Sequence, residues 1–388
     1  MKSGPFVISQ PLTRRLTATA IAAAAILAAT AMIAPDRAWA NLLLGSFFLV
    51  TLGLGGALFL ALTNVCGAVW SVAFRRVPEA LTGLLPLGGA LLLVAILMQL
   101  RRYGWHHHGD GGPGTFWFKE LWLEPKFFAA RAVAFILLWN AFAWILVRHS
   151  RRPDVVEGDV ATSAAGLTSV LFLAMSAISI SLAGVDWIMS LEPMWFSTMW
   201  GVYQFSGLIF GTLAAIIVAC VLMRQHGPLV GVFHEDHLHD LSKLLLGFSC
   251  FWMYIWFSQY MLIWYANIPE ETSYFIRRTH GAWGPVVVAC ILLNWVIPFF
   301  VLLPRPCKRS ESVMLRIAVI VLLGRCVDLY IMIFPPVTGN IPVFGLPEIG
   351  TIVGLGSLAV LLFLRSFAAA DALPRTSPGL ADRLPDTA

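Results

Sequence analysis

The chain has 388 residues, 59% of them hydrophobic and only 12% charged, with a net charge of +5 and a mean hydropathy of +0.79. A soluble globule of this length has no way to bury so much apolar surface, and the basic excess sits in short loops rather than on a nucleic-acid-binding face. The apolar runs are continuous, not alternating, which argues against a membrane β-barrel. The six cysteines (Cys66, Cys220, Cys250, Cys290, Cys307 and Cys326) form no CxxC pair, and most lie inside apolar runs. They read as small packing residues, not as a disulfide frame or metal site.

In chain order, residues 1–40 hold a small apolar run, Leu16 to Ala34, preceded by Arg14 and Arg15. Ala38-Trp39-Ala40 resembles a signal-peptidase site. The run is long enough to span a bilayer, however, so a retained first helix is expected, with Asn41 outside the membrane. Further spans are expected at 42–68, 81–100, 127–147, 165–190, 200–223, 242–266, 282–303, 313–334 and 348–366. The fold class is therefore all-α: a polytopic membrane protein of about ten helices.

Most of the 26 lysines and arginines, Arg75, Arg76, Arg148, Arg151, Arg224 and Arg305 among them, fall in alternate loops. The positive-inside rule then places both termini in the cytoplasm. The outer segment Arg101 to Lys126 carries His106, His107 and His108, followed by an aromatic stretch, Phe116 to Leu123, that reads as a short interfacial helix. The inner loop Arg224 to Lys243 carries His234 to Asp240, expected to be hydrated rather than metal-binding. Residues 367–388 read as a disordered cytoplasmic tail.

Val185-Asp186 and Val327-Asp328 are each followed by a proline at the same spacing, Pro193 and Pro335. Two four-helix bundles, helices 2–5 and helices 6–9, would explain such a repeat, with the first and tenth helices peripheral.

Asp186 is the strongest candidate for chemistry. It shares a helix face with Ser176 and Ser179, in a stripe that also takes in Thr168, Ser169 and Ser190. A charged aspartate facing lipid costs at least ~2.5–3.5 kcal/mol, so it should face a neighbouring helix or water. A water-lined proton path ending on Asp186 is the functional reading. For the serines alone, close packing with hydroxyls bonded to their own helix weighs more. Arg325 and Asp328, three residues apart, share a face. Locking of two helices and a role in proton or quinol handling stand level there, with Arg325 as electrostatic tuner of the aspartates. Glu192, Glu270 and Glu271 sit where protons would be collected or released, although a solvated loop is the plainer reading.

Tyr254, Ser258, Met261 and Tyr265 form a stripe on the seventh helix, either core or one wall of a quinone-sized cleft. Gly207 and Gly211 form a GxxxG motif, which reads as helix contact. The nine histidines all lie in loops or at helix ends. Axial ligation of a membrane b-type haem needs histidines within the helices, so no haem is expected in this chain.

Three segments carry a resemblance: VDWIMSLEPMWFSTMWGVYQFSG (Val185 to Gly207), SQYMLIWYANIPEET (Ser258 to Thr272) and GRCVDLYIMIFPP (Gly324 to Pro336). They resemble the ActF membrane subunits of alternative complex III, within the NrfD-like (polysulfide-reductase integral-subunit) family. The likeness extends over residues 41–366. It implies two four-helix bundles inside a bacterial inner-membrane complex that oxidises quinol and passes electrons to cytochrome c or an oxidase. It also implies partner subunits holding iron–sulfur clusters and c-type haems, and a sister NrfD-like subunit as the usual seat of quinol. This chain would be a cofactor-free scaffold, with proton conduction and direct quinol binding open. A secondary transporter is the alternative from another class. It is disfavoured because the helix-ending prolines lie near the outer surface and not at mid-membrane.

Overall fold

The computed structural model describes residues 6–97, 100, 121–151 and 159–370. The described elements are helical throughout. The first two are α1 (Gln10–Ile33) and α2 (Pro35–Val65). Then come α3 (Arg76–Leu97, with a 3-10 turn at Thr82–Leu84) and α4 (Pro125–Arg151). Next are α5 (Asp159–Trp187), α6 (Trp200–His226) and α7 (Glu235–Ala266). A short helix α8 (Pro269–Thr279) precedes α9 (Gly281–Leu302), α10 (Glu311–Ile333) and α11 (Leu346–Ala368). His106 to His108, Phe116 to Phe118 and the tail beyond residue 370 lie outside the described residues.

Among the described residues, nine helices are long and apolar enough to cross a membrane: α1 to α7, α9 and α11. The chain is a multi-pass membrane protein. α10 has the same 23-residue length as α11 but carries Arg316, Arg325 and Asp328, which lower its hydropathy. At about 1.5 Å per residue its length matches a bilayer, and it packs between α6 and α9.

Local chemistry sets the ends. Proline opens α2 and α8, where its missing N–H costs nothing. Asn267 ends α7 with φ 50, the left-handed conformation that asparagine tolerates. His234 to Asp240, expected as a loop, instead begins α7: the His234 backbone N–H donates to His237 Nδ1 at 3.0 Å. The loop expected around Pro269 is likewise mostly the helix α8.

Helices α2, α3, α4 and α5 pack as one group, and α6, α7, α9 and α10 as another. The seam runs along α2 and α6, whose membrane windows are 89% and 78% buried, against 6% for α1. The two seam helices approach closely because Gly55 faces Thr212; a Cβ there would lie 1.8 Å from the threonine hydroxyl.

Ala38, Trp39 and Ala40 are buried within α2, and Trp39 Nε1 donates to the Ala95 carbonyl at 2.7 Å. Asn41, expected in a segment outside the membrane, is a helical residue of α2, buried against α11.

α1 lies against α11 and α2, with Gly354 of α11 so close that a Cβ would come 2.1 Å from Ala23 Cβ. Gly354→Leu is expected to unseat α1 and to cost about 1–3 kcal/mol by overpacking. Crosslinking between cysteines placed at Ile26 and Gly350 should drop sharply, while the two bundles stay folded.

Candidate functional site: two aspartate centres

Both aspartates singled out in the sequence are buried, Asp186 with 0% and Asp328 with 2% exposure. Neither faces lipid. Each sits near the C-terminal end of its helix, at the end of the molecule that carries α8. They form two separate centres.

In the first centre, Arg131 of α4 donates through Nε to Asp186 Oδ2 at 2.9 Å. Trp122, just before α4, donates its indole N–H to Asp186 Oδ1 at 2.7 Å. The arginine guanidinium lies 4.0 Å from the Trp122 ring centroid and 4.5 Å from that of Phe127. Aromatic faces replace part of the water that the cation has lost. Both Nη atoms of Arg131 are buried without a hydrogen-bond partner among the described residues. The tuner expected for Asp186 was Arg325; its actual partner is Arg131. Trp122 belongs to the stretch expected as an interfacial helix, yet its indole turns inward onto the aspartate.

The second centre gathers three helices around α10. Arg325 Nη1 and the Tyr203 hydroxyl both donate to Asp328 in short contacts. Trp252 Nε1 donates at 3.2 Å, and Cys290 Sγ lies at 3.8 Å. The Arg325 side chain rests on Gly207 and Gly211, so that a Cβ at Gly207 would meet Nη2 at 2.2 Å. The GxxxG motif therefore makes room for a buried cation as well as for helix contact. Opposite, α9 has a π-turn at Leu292–Val296. The Ser249 hydroxyl donates to the Asn294 carbonyl there at 2.7 Å, while Asn294 Nδ2 donates to the Cys290 carbonyl at 2.9 Å. Such turns recur at functional sites.

Glu192 follows α5 and meets Arg278 of α8 at 2.6 Å, with Arg277 at 3.7 Å. Arg278 also caps α10 through the Ile331 carbonyl at 2.9 Å and covers the Tyr274 ring at 3.5 Å. Burial raises the Tyr274 phenol well above its ordinary range, which Arg278 partly offsets. Glu270 and Glu271 do not join this knot. They occupy the first turn of α8, where the helix N-terminus stabilises them, and among the described residues they make no ion pair.

The serine stripe does not form a chain of hydroxyls. Ser176 donates to the Phe172 carbonyl in a short contact, and Ser190 to the Asp186 carbonyl. Ser169 donates to the Ala165 carbonyl at 2.8 Å. Ser179 donates to Met175 Sδ at 3.3 Å and accepts from Trp139 Nε1 at 2.8 Å. Each hydroxyl is used within its own helix or by one neighbour, as small-residue packing requires. Of the residues expected to line a quinone cleft on α7, Tyr254 and Tyr265 are 64% and 83% exposed on an outward face, with half-buried Ser258 between them, and they do not line the cleft between α9, α10 and α11.

Two further buried carboxylates escaped the sequence reading. Glu79, fully buried, is held by Arg76 at 2.8 Å, by Arg151 at 3.1 Å and by Ser150. Glu348 accepts from Arg37 Nε at 2.8 Å and from Asn41 at 3.0 Å. The available signal was a carboxylate beside a long apolar run with arginines near other run ends; reading those arginines only as orientation signals hid it. Among the described residues no three of His, Cys, Asp and Glu cluster closely enough to share a metal ion.

No family model matches the chain, and no curated protein matches it.

Proposed function

We propose that this chain is a cofactor-free scaffold subunit of a quinol-oxidising respiratory assembly in a bacterial inner membrane. Both termini lie in the cytoplasm and α8 faces outward. Partner subunits carry the iron–sulfur clusters and c-type haems, a sister NrfD-like subunit works beside it, and quinol is the substrate of the whole.

The observation that carries this reading is where the three resembling segments fall. Val185 to Gly207 supplies Asp186, Glu192, Tyr203 and the arginine seat at Gly207. Gly324 to Pro336 supplies Arg325 and Asp328. Ser258 to Thr272 ends α7 and opens α8 with Glu270 and Glu271. The likeness thus includes both aspartates, Arg325 and Tyr203 of the second centre, and the surface next to them, although Arg131 and Trp122 of the first centre lie outside it.

Within that assembly the geometry favours holding over conduction. Each aspartate is paired with arginine and takes an indole N–H as well, and the hydroxyls between them and the opposite face are locally used. Arg131–Asp186 joins α4 to α5, and Asp328, paired within α10, is tied to α6 and α7 through Tyr203 and Trp252, so both centres hold particular helices together.

Purification of the native assembly tests the assignment: haem-bearing partners should come with this chain, and a chain that elutes alone would end it. Asp186→Asn in that assembly separates holding from conduction. It should lower the melting temperature, because the Arg131 charge loses its partner, and leave protons released per quinol unchanged. Reduced proton release from a fully assembled, normally stable complex would instead restore a relay.

A further inference from the structure

α11 packs on α1, α2 and α3, whereas α9 packs on α10. Between these two groups lies a cleft of about 390 Å³, within the range of small-molecule sites. Leu44, Val286, Ala289, Cys326 and Ile352 contribute apolar wall, and Phe344 stands exposed at the rim. On one side are Asn41, Glu348 and Thr351.

The polar side has a particular composition. Glu348 is neutralised by Arg37, Asn41 and the Gly345 N–H. Thr351 is different: it is 6% exposed, it lines the cleft, and its hydroxyl has no hydrogen-bond partner among the described residues. Threonine in a helix ordinarily returns its hydroxyl to the preceding turn, and a buried unpaired hydroxyl costs about 1–3 kcal/mol. The cleft therefore suits a mostly apolar, uncharged group with one oxygen acceptor.

Depth narrows the choice. α11 begins at Leu346, and its 23 residues extend only slightly beyond a ~30 Å hydrocarbon core. Thr351 therefore lies within about one turn of the boundary between acyl chains and headgroups, on the α8 side. Ester carbonyls of membrane glycerolipids lie at that boundary. Above it, Arg37 is a quarter exposed and already oriented by Glu348.

We propose that this cleft binds a glycerophospholipid from the leaflet at the α8 end, with one acyl chain between α9, α10 and α11. The Thr351 hydroxyl donates to an ester carbonyl of the lipid, and the exposed edge of Arg37 faces its phosphate. The lipid fills the gap that α11 leaves against α9 and α10. This site is independent of the assignment to a respiratory assembly.

The probe is phosphatidylethanolamine with a photoreactive diazirine in one acyl chain, added to the full-length chain, with native mass spectrometry reading retained lipid. Wild-type protein should keep one tightly held phospholipid and crosslink at α9, α10 and α11. Ala289→Trp, which fills the cleft, should lose both signals. Thr351→Val, nearly isosteric, should keep the fold and weaken retention roughly two- to tenfold, the worth of one hydrogen bond. Should Ala289→Trp not fold, the Thr351→Val comparison decides alone. Unchanged retention in Thr351→Val, crosslinks confined to other faces, or a prenylquinone held in place of the phospholipid would each overturn the proposal.

Discussion

Arg325→Met is expected to destabilise the protein by about 3–5 kcal/mol, the cost of leaving a buried charge without its partner. Asp328 would keep the Tyr203 hydroxyl and the Trp252 indole as donors but lose the only cation within reach on α10. With 2% exposure it has no water to turn to. Methionine adds no steric strain, because Gly207 and Gly211 already clear the space that the longer guanidinium occupies. The double variant Arg325→Met/Asp328→Leu should recover most of the loss, since a buried pair exchanged for apolar side chains of similar volume is often neutral. Reversible unfolding in mixed micelles measures both. A single variant within about 1 kcal/mol of wild type would mean that the pair is solvated and is not a lock.

The spans were legible because a bilayer imposes length and apolarity together. The run expected at 200–223 is α6, Trp200–His226, and the run expected at 165–190 lies within α5 and the turn that follows it. Asp186 and Asp328 were legible as buried for the same reason: a lone carboxylate in such a run is too costly to leave facing lipid.

The partners were legible only when local. Arg325 and Asp328 lie three apart on one helix, so spacing alone brings them together. Arg131 and Asp186 lie 55 positions apart on different helices, and nothing in periodicity says which faces meet. Glu348 was hidden similarly, since Arg37 comes from another helix; Glu79 has a local partner three residues away in Arg76, which was read as an orientation signal alone, and a distant one in Arg151. The hydroxyl stripe misled for a different reason. Helical spacing aligns serines whether they conduct or pack, and only the direction of each hydroxyl, visible in Ser176 and Ser190, separates the two.

That difference bears on Arg131→Met, which should cost about as much as Arg325→Met, about 3–5 kcal/mol. It removes the charge facing the fully buried Asp186, and with it the stacking on Trp122 and Phe127, worth ~0.5–2 kcal/mol where desolvated. The Trp122 indole alone cannot compensate a carboxylate, so Asp186 should take up a proton or draw in water. The two arginine variants together discriminate between the roles of the centres. Arg131 and Arg325 belong to different bundles and have no hydrogen-bond partner in common. If each centre only pins its own helices, the two losses should add to within about 0.5 kcal/mol. If a hydrogen-bonded path links the aspartates, disrupting the first centre alters what the second contributes, and the coupling should exceed that margin. A double-mutant cycle on the assembled protein, read by unfolding free energy, decides between two independent pins and one connected polar network.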